Sequence, residues 1–159
     1  MGPWTLEPGM PIRSRRSILL ISLTILLLLL TTGCGGSDPK TKESNLKMAS
    51  MANMPAEVRT APVTVQEAYQ FNVANPDIMT LIPCYCGCGA MGHTSNYDCY
   101  VAGVNVDGSI NFDTHALGCS ICVDITKDTM RLLKEGQSVD QIKAYVDQTY
   151  AQYGPSNIP

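Results

Sequence analysis

The segment Pro83-Cys84-Tyr85-Cys86-Gly87-Cys88 places three cysteines at alternate positions within six residues. Alternate side chains of an extended segment point to the same side, so these three thiols can converge on one centre. The glycines at positions 87 and 89 allow the backbone to bend closely around that centre. Because a small core often needs disulfides or a metal to hold it, we expect the thiols to organise the fold.

The remaining cysteines divide into one near the N-terminus and three that follow the triple motif. The chain has seven cysteines, and Cys34 stands apart from the other six. Cys119 and Cys122 form a Cys-Ser-Ile-Cys motif at the start of a predicted helix. The free amides and the dipole of a helix N-terminus favour thiolate over thiol. Metal binding and disulfide exchange both need that thiolate.

The two histidines of the chain, His93 and His115, flank the two cysteine clusters. Six cysteines and two histidines give eight donors, numerically enough for two tetrahedral sites of four ligands each. Asp113 could orient the ring of His115 from outside the ligand set, or cap the loop before it. A histidine can also serve only as a hydrogen-bonding residue. The candidate metal ligands are Cys84, Cys86, Cys88, Cys99, Cys119, Cys122, His93 and His115.

Three disulfides are the alternative for the same six cysteines. Bridges within the triple motif would be strained, so each of its thiols would have to pair with one of Cys99, Cys119 and Cys122. An exported domain could form such bridges. Packing three of them from one five-residue segment is awkward, which favours a metal site.

The patterning of the rest of the chain predicts a mainly α fold. Apolar residues at helical spacing predict a helix that opens at a capping box from Thr64 to Glu67, followed by a short helix from Asn75 through Leu81. Two further helices are predicted from Cys119 to Glu135, ending at Gly136, and from a capping box at Ser138 to Tyr153.

A small β-hairpin is predicted between Cys99 and Phe112, around an Asp107-Gly108 turn. Together these elements predict a cysteine-rich small domain over residues 56–159. It would have three to four helices and one hairpin that packs on them.

The N-terminus is typical of a bacterial signal peptide. Basic residues precede the apolar stretch from Ile18 to Leu30, and small residues before Cys34 resemble a lipobox. We predict a signal peptide over residues 1–33, a diacylated Cys34, and a lipid anchor and flexible tether over residues 34–55. A simple secretory signal, an uncleaved anchor and twin-arginine export are the alternatives, and either Met1 or Met10 could be the start.

The tether carries Met48, Met51 and Met54, which recur every third residue. Thioethers at that spacing could bind Cu(I), or could form one face of a nascent helix.

Composition excludes several classes of function. The formal net charge is -3 and no basic run exceeds Arg15-Arg16, which excludes a nucleic-acid partner. No Ser-His-Asp arrangement, phosphate-binding loop or paired-carboxylate pattern is apparent, which argues against a hydrolase.

The triple motif, with Cys99, the His-Ala pair before Cys119, and a C-terminal Gly-x-Ser-x-x-x-Ile segment, resembles the bacterial PCYCGC-motif lipoproteins. This resemblance spans roughly residues 54–150 and implies extracytoplasmic localisation and a thiol site, without supplying an activity. The segment from Cys119 to Gly154 is also similar to the thiol domain of cytochrome c maturation proteins. That similarity implies a redox alternative.

We therefore expect an extracytoplasmic lipoprotein, tethered to the bacterial cell membrane, that binds a soft metal ion, Cu(I) ahead of Zn(II). A metal-trafficking or redox protein would be its partner. A metal-binding protein of this kind would not be an enzyme. One alternative is a thiol-disulfide exchange protein in which Cys119 attacks and Cys122 resolves, and the chain would then be an oxidoreductase. The other alternative is a disulfide-stapled interaction module.

Overall fold

The computed structural model describes residues 46–158. The predicted signal peptide, Cys34 and the first part of the predicted tether lie outside these residues. Within them the structure has six α-helices and one two-stranded antiparallel sheet, which confirms the prediction of a mainly α fold with a small hairpin. The elements are α1 (Ala56–Arg59), α2 (Val63–Ala74), α3 (Pro76–Met79), β1 (Val101–Val104), β2 (Ile110–Phe112), α4 (His115–Gly118), α5 (Ser120–Lys134) and α6 (Val139–Tyr150).

The three longer helices form the core, with α5 packed against both α2 and α6. Phe71 on α2, Ile125 on α5 and Ile142 on α6 are fully buried. Tyr69 and Tyr100 meet edge to face with ring centroids 4.8 Å apart, which joins α2 to the residues just before β1. The thiol-bearing segments lie on this helical core, so its packing fixes their positions.

Helix α2 begins one residue before the predicted capping box, and the capping box itself is wrong. Pro62 occupies the N-cap, and its carbonyl accepts hydrogen bonds from the amides of Val65 and Gln66. The Thr64 hydroxyl makes no cap bond, because Thr64 already lies inside the helix. Proline is compatible with a helix start since its fixed φ suits the entering chain and its missing N–H is not needed there.

The predicted ends of α5 and α6 are confirmed in their main features. Helix α5 ends before Gly136, and the capping box at Ser138 is present, with Ser138 and Gln141 exchanging side-chain to backbone hydrogen bonds. The predicted last helix continues past Tyr150 only as a 3-10 turn over Ala151–Tyr153. Tyr153 is 56% exposed, so it does not share the buried face of Ile142.

The hairpin forms where it was predicted, although its strands are short. Gly108 adopts φ +82° at the turn, and the pairing is irregular between Val101 and Gly103. The hairpin is held on the helices where the Asp113 amide donates to the Tyr100 carbonyl and the Tyr69 hydroxyl donates to the Asp113 carbonyl. This contact places the segment after β2, which carries His115, beside the helical core.

Part of the segment predicted as tether lies against the core. The Ala49 amide donates to the Gln70 carbonyl, and the Gln70 side chain donates back to the Ala49 carbonyl. Met54 is only 2% exposed, whereas Met48 is 39% exposed, so these two thioethers lie in different environments. Among residues 46–158, no helix combines the length and the apolar character needed to cross a membrane.

Candidate metal centre

Three separate segments bring the predicted thiols to one place. The first is the motif loop, residues 83–88, and the second is a 3-10 turn at Tyr97–Cys99. The third is the junction of α4 and α5, where Cys119 is the N-cap of α5 and Cys122 lies in its first turn. Gly87, at φ +83°, reverses the motif loop, a conformation that other residues rarely adopt. The predicted placement of the Cys-Ser-Ile-Cys motif at a helix start is confirmed.

The closest sulfur atoms form a triangle. The distance from Cys84 Sγ is 3.4 Å to Cys86 Sγ and 3.5 Å to Cys122 Sγ, and Cys86 Sγ and Cys122 Sγ are 3.5 Å apart. Cys88 Sγ lies 3.6 Å from Cys99 Sγ, on the far side of Gly87. We call the assembly of these residues with Cys119 and His115 the thiol cluster. Its members are Cys84, Cys86, Cys88, Cys99, Cys119, Cys122 and His115.

The sulfur separations match shared coordination better than disulfide bonding. A disulfide bond is about 2.05 Å long, whereas all six thiols of the described residues are free. Four sulfurs around one ion at about 2.3 Å would be separated by about 3.8 Å along each edge of the tetrahedron. The observed 3.4 to 3.6 Å separations are close to that edge. The cluster could therefore hold a metal ion.

The cluster contains three groups of four donors in which all four ligand atoms lie within 4.8 Å of one another. Cys86 belongs to every group, and no group contains both Cys84 and Cys88. The inner group is Cys84, Cys86, Cys99 and Cys122; the outer group is Cys86, His115, Cys119 and Cys122; the third group is Cys86, Cys88, Cys99 and His115. Seven of the eight predicted donors are thus brought together.

His93 is the predicted donor that belongs to none of the groups found among the described residues. Its ring packs edge to face on the ring of His115, with centroids 5.4 Å apart, and its Nε2 lies 3.4 Å from Asp113 Oδ2. The Asp113 carboxylate also accepts the backbone N–H of His115 at 2.7 Å. Asp113 therefore contacts the ring of His93 and not that of His115, and it caps the start of α4, which is the second of the two roles predicted for it. We expect His93 to position His115, whose Nε2 lies 3.3 Å from Cys86 Sγ.

The thiols differ in how readily they ionise. Hydrogen bonding with Cys122 and Cys99 lowers the pKa of Cys84 far below that of an ordinary thiol. Burial, together with the negative charge on Cys84, raises the pKa of Cys86 and of Cys88. Hydrogen bonding to Cys84 is the main reason that the pKa of Cys122 is raised. Cys84 is thus a thiolate among thiols that keep their protons, and a metal ion bound by Cys86 and Cys122 would release the protons of those two thiols.

A buried polar network that no sequence pattern predicted holds the first turn of α5 in place around Cys122. The Thr126 hydroxyl lies within 3.0 Å of polar atoms of Asn72, Tyr100 and Asn96, all of them fully buried. It also donates to the Cys122 carbonyl at 3.1 Å. These contacts fix the first turn of α5, and with it the direction of the Cys122 side chain.

The C-terminal tail closes over the motif loop and was also missed. The backbone N–H of Cys84 donates to the side-chain Oδ1 of Asn157 at 2.7 Å, and the backbone N–H of Asn157 donates to the Cys84 carbonyl at 3.1 Å. Asn157 Nδ2 donates to the Ser95 carbonyl and lies 3.5 Å from Cys88 Sγ. A Cβ atom at Gly154 would lie 2.8 Å from the Tyr85 carbonyl oxygen, so only glycine allows this close approach.

A second contact of the motif loop anchors it to α6. The Tyr85 hydroxyl donates to Asp147 Oδ1 at 2.6 Å, and Asp147 also pairs with Lys143. Tyr85 is therefore a structural residue of the motif, which explains why an aromatic hydroxyl stands between two thiols.

The comparisons with known proteins identify the family of the chain. A family model described as a protein of unknown function with a PCYCGC motif matches residues 23–159. The chain belongs to this PCYCGC family. No curated protein and no solved structure matches the chain. The PCYCGC motif that defines the family is thus the loop that supplies three of the six clustered thiols.

Asn157 gives a test of the tail's role in the PCYCGC protein. Asn157→Ala removes the side-chain contacts to the Cys84 amide and to Cys88, so we expect a 10- to 100-fold weaker metal affinity, the usual cost of losing a residue that holds the ligands in place. Competition with a chelator of known affinity measures this change. Asn111→Ala, on the exposed side of β2, is the matched control and should bind like the wild type. Equal affinity in both variants would contradict a positioning role for the tail.

Proposed function

We propose that this PCYCGC protein is an extracytoplasmic lipoprotein, tethered to the cell membrane, that binds a soft metal ion, Cu(I) ahead of Zn(II). The observation that carries the proposal is the convergence of six thiols and one imidazole from three segments of the chain. Four of the six thiols are buried and two are partly exposed, and all six are free. Coordination of a metal ion would explain why these free thiols lie together.

The donor set supports Cu(I) ahead of Zn(II). Sulfur outnumbers nitrogen by six to one in the cluster, and the inner group is all sulfur. Soft thiolate ligands favour soft ions. Cu(I) is the softest of the common first-row ions, so it binds thiolates most strongly. Zn(II) also binds four thiolates, so it is the second candidate.

The predicted tether gives the proposal its location. The apolar stretch from Ile18 to Leu30 and the small residues before Cys34 support export and lipidation, and the cluster would then work outside the cytoplasm. Cys86, His115 and Cys119 are partly exposed, so one edge of the cluster is open to a metal-trafficking or redox protein. The membrane, reached through the lipid on Cys34, is the other proposed partner.

Two single substitutions separate the anchor from the metal site. Cys34→Ser should remove the protein from the membrane fraction, or leave it as an unprocessed precursor, without lowering its Cu(I) content. Cys122→Ser should leave the protein at the membrane but lose most of its Cu(I), since Cys122 belongs to both the inner and the outer group and a hydroxyl is a poor donor for a soft ion. Cell fractionation and copper analysis of the full chain measure both effects.

Each part of the proposal can fail separately. A Cys34→Ser protein that stays processed and membrane-bound would contradict the lipid anchor. Equal copper in both variants would contradict the assigned ligands. If the wild type holds disulfides, takes up no metal after reduction and exchanges rapidly with a dithiol reporter, the thiol-disulfide alternative at Cys119 and Cys122 is correct.

A further inference from the structure

The thiol cluster has more ligands than one ion can use. A single tetrahedral ion takes four donors, whereas the cluster holds seven, all supplied by residues 84–122. An ion bound only in the inner group would leave Cys88, Cys119 and His115 beside it without a metal. The surplus donors lie in two further groups that meet the same distance condition as the inner one.

The way in which the groups overlap limits how two ions could share them. A thiolate sulfur has lone pairs enough to bridge two ions, but an imidazole nitrogen has a single lone pair and binds one. The outer and third groups share His115, so they cannot both be filled. The inner group shares two thiols with the outer group, Cys86 and Cys122, and two with the third group, Cys86 and Cys99. Of these two candidates for a second site, only the outer group uses Cys119, which lines a cleft.

We propose that the cluster binds two metal ions, one in the inner and one in the outer group, bridged by the thiolates of Cys86 and Cys122. This inference rests on the proposed function and deepens it. Cys84 and Cys99 complete the inner site, whereas Cys119 and His115 complete the outer one. Cys88 remains outside both sites, where it lies beside Cys99 Sγ and Asn157 Nδ2.

The two sites differ in donor type and in exposure. Three of the four inner ligands are buried, and all four are sulfur. Three of the four outer ligands are partly exposed, and one of them is the harder imidazole. A cleft of about 320 Å³ opens beside Cys119, between α2 and the α4–α5 junction. The inner ion is therefore the retained one, and the outer ion is the one that exchanges with a partner or a chelator.

Native mass spectrometry of the full-length chain tests this inference. The protein is purified in detergent under nitrogen with its thiols reduced, and Cu(I) alone is added in a stabilised form. We expect two ions per wild-type chain, of which a mild chelator removes one. Cys119→Ser should bind one ion, and so should His115→Ala, because each removes a terminal ligand of the outer site only. Cys88→Ser removes a ligand of the third group only, so it should still bind two ions if the second ion lies in the outer group. Asn111→Ala, on the exposed side of β2, is the matched control and should bind two like the wild type.

The outcomes distinguish this inference from the proposed function. Failure of the wild type to bind any Cu(I) would overturn both. A wild-type count other than two would overturn the two-ion arrangement and leave metal binding intact. Loss of one ion in Cys88→Ser with two retained in Cys119→Ser would place the second ion in the third group and overturn the outer site. Melting temperatures of the metal-free variants identify any that fail to fold, and Cys119→Ala then replaces Cys119→Ser as the test, because Cys119 belongs to the outer group only.

Discussion

Replacing Cys84, Cys86 and Cys88 together by serine is expected to abolish Cu(I) binding and the stabilisation that Cu(I) gives the wild-type chain. The triple variant removes two ligands of the inner group and one of the bridging thiols of the outer group. An ion that binds only the folded state at 100 times its dissociation constant stabilises that state by about 2.7 kcal/mol. The wild type should gain this free energy of unfolding with Cu(I), and the triple variant should gain none.

Two controls separate loss of ligands from loss of the fold. The triple alanine variant should show the same loss of binding, because alanine offers no donor atom yet buries no hydroxyl at the positions of Cys84 and Cys88, which are at most 1% exposed. Cys34→Ser should bind Cu(I) and melt like the wild type. Retention of stoichiometric Cu(I) in a folded triple variant would show that the PCYCGC loop is not the principal ligand segment.

The second large effect concerns the buried polar network, and it does not require a metal. Thr126→Val keeps the shape of the side chain but removes the hydroxyl that contacts Asn72, Tyr100 and Asn96. Their polar atoms would then be buried with fewer partners, and we expect the free energy of unfolding of the metal-free chain to fall by about 2 to 3 kcal/mol. Urea denaturation under reducing conditions measures this change.

Thr129→Val is the matched control for this prediction. Thr129 is as fully buried on the same helix, but its hydroxyl donates only to the Ile125 carbonyl one turn before it. That carbonyl keeps its backbone position in the helix, so we expect a loss below about 1 kcal/mol. Equal effects of the two substitutions would contradict the view that the network has a special role.

Features that depend on nearby residues could be predicted from the sequence. The Ser138 capping box, the turn at Gly108 and the start of α5 at Cys119 each follow from a few neighbouring residues, and each is present. The convergence of the thiols followed from alternation, since Cys84 and Cys86 do point to one side. Cys88 reaches the cluster differently, because the reversal at Gly87 directs it toward Cys99.

Features that depend on distant residues could not be predicted. Asn157 and Cys84 are 73 positions apart, and nothing in the tail itself indicates where it packs. The network around Thr126 joins α2, α5 and the turn before β1, so no single segment shows it. Asp113 pairs with His93 because the segment after β2 lies beside the motif, a tertiary contact that spacing in the sequence does not encode.

The most direct test of the central claim is the metal and thiol content of the full-length chain isolated from its membrane under nitrogen. We predict bound copper in stoichiometric amount, with six cysteines that become reactive toward a thiol reagent once the copper is removed. Protein that carries no metal, holds three disulfides, and melts identically with and without Cu(I) after reduction would contradict it.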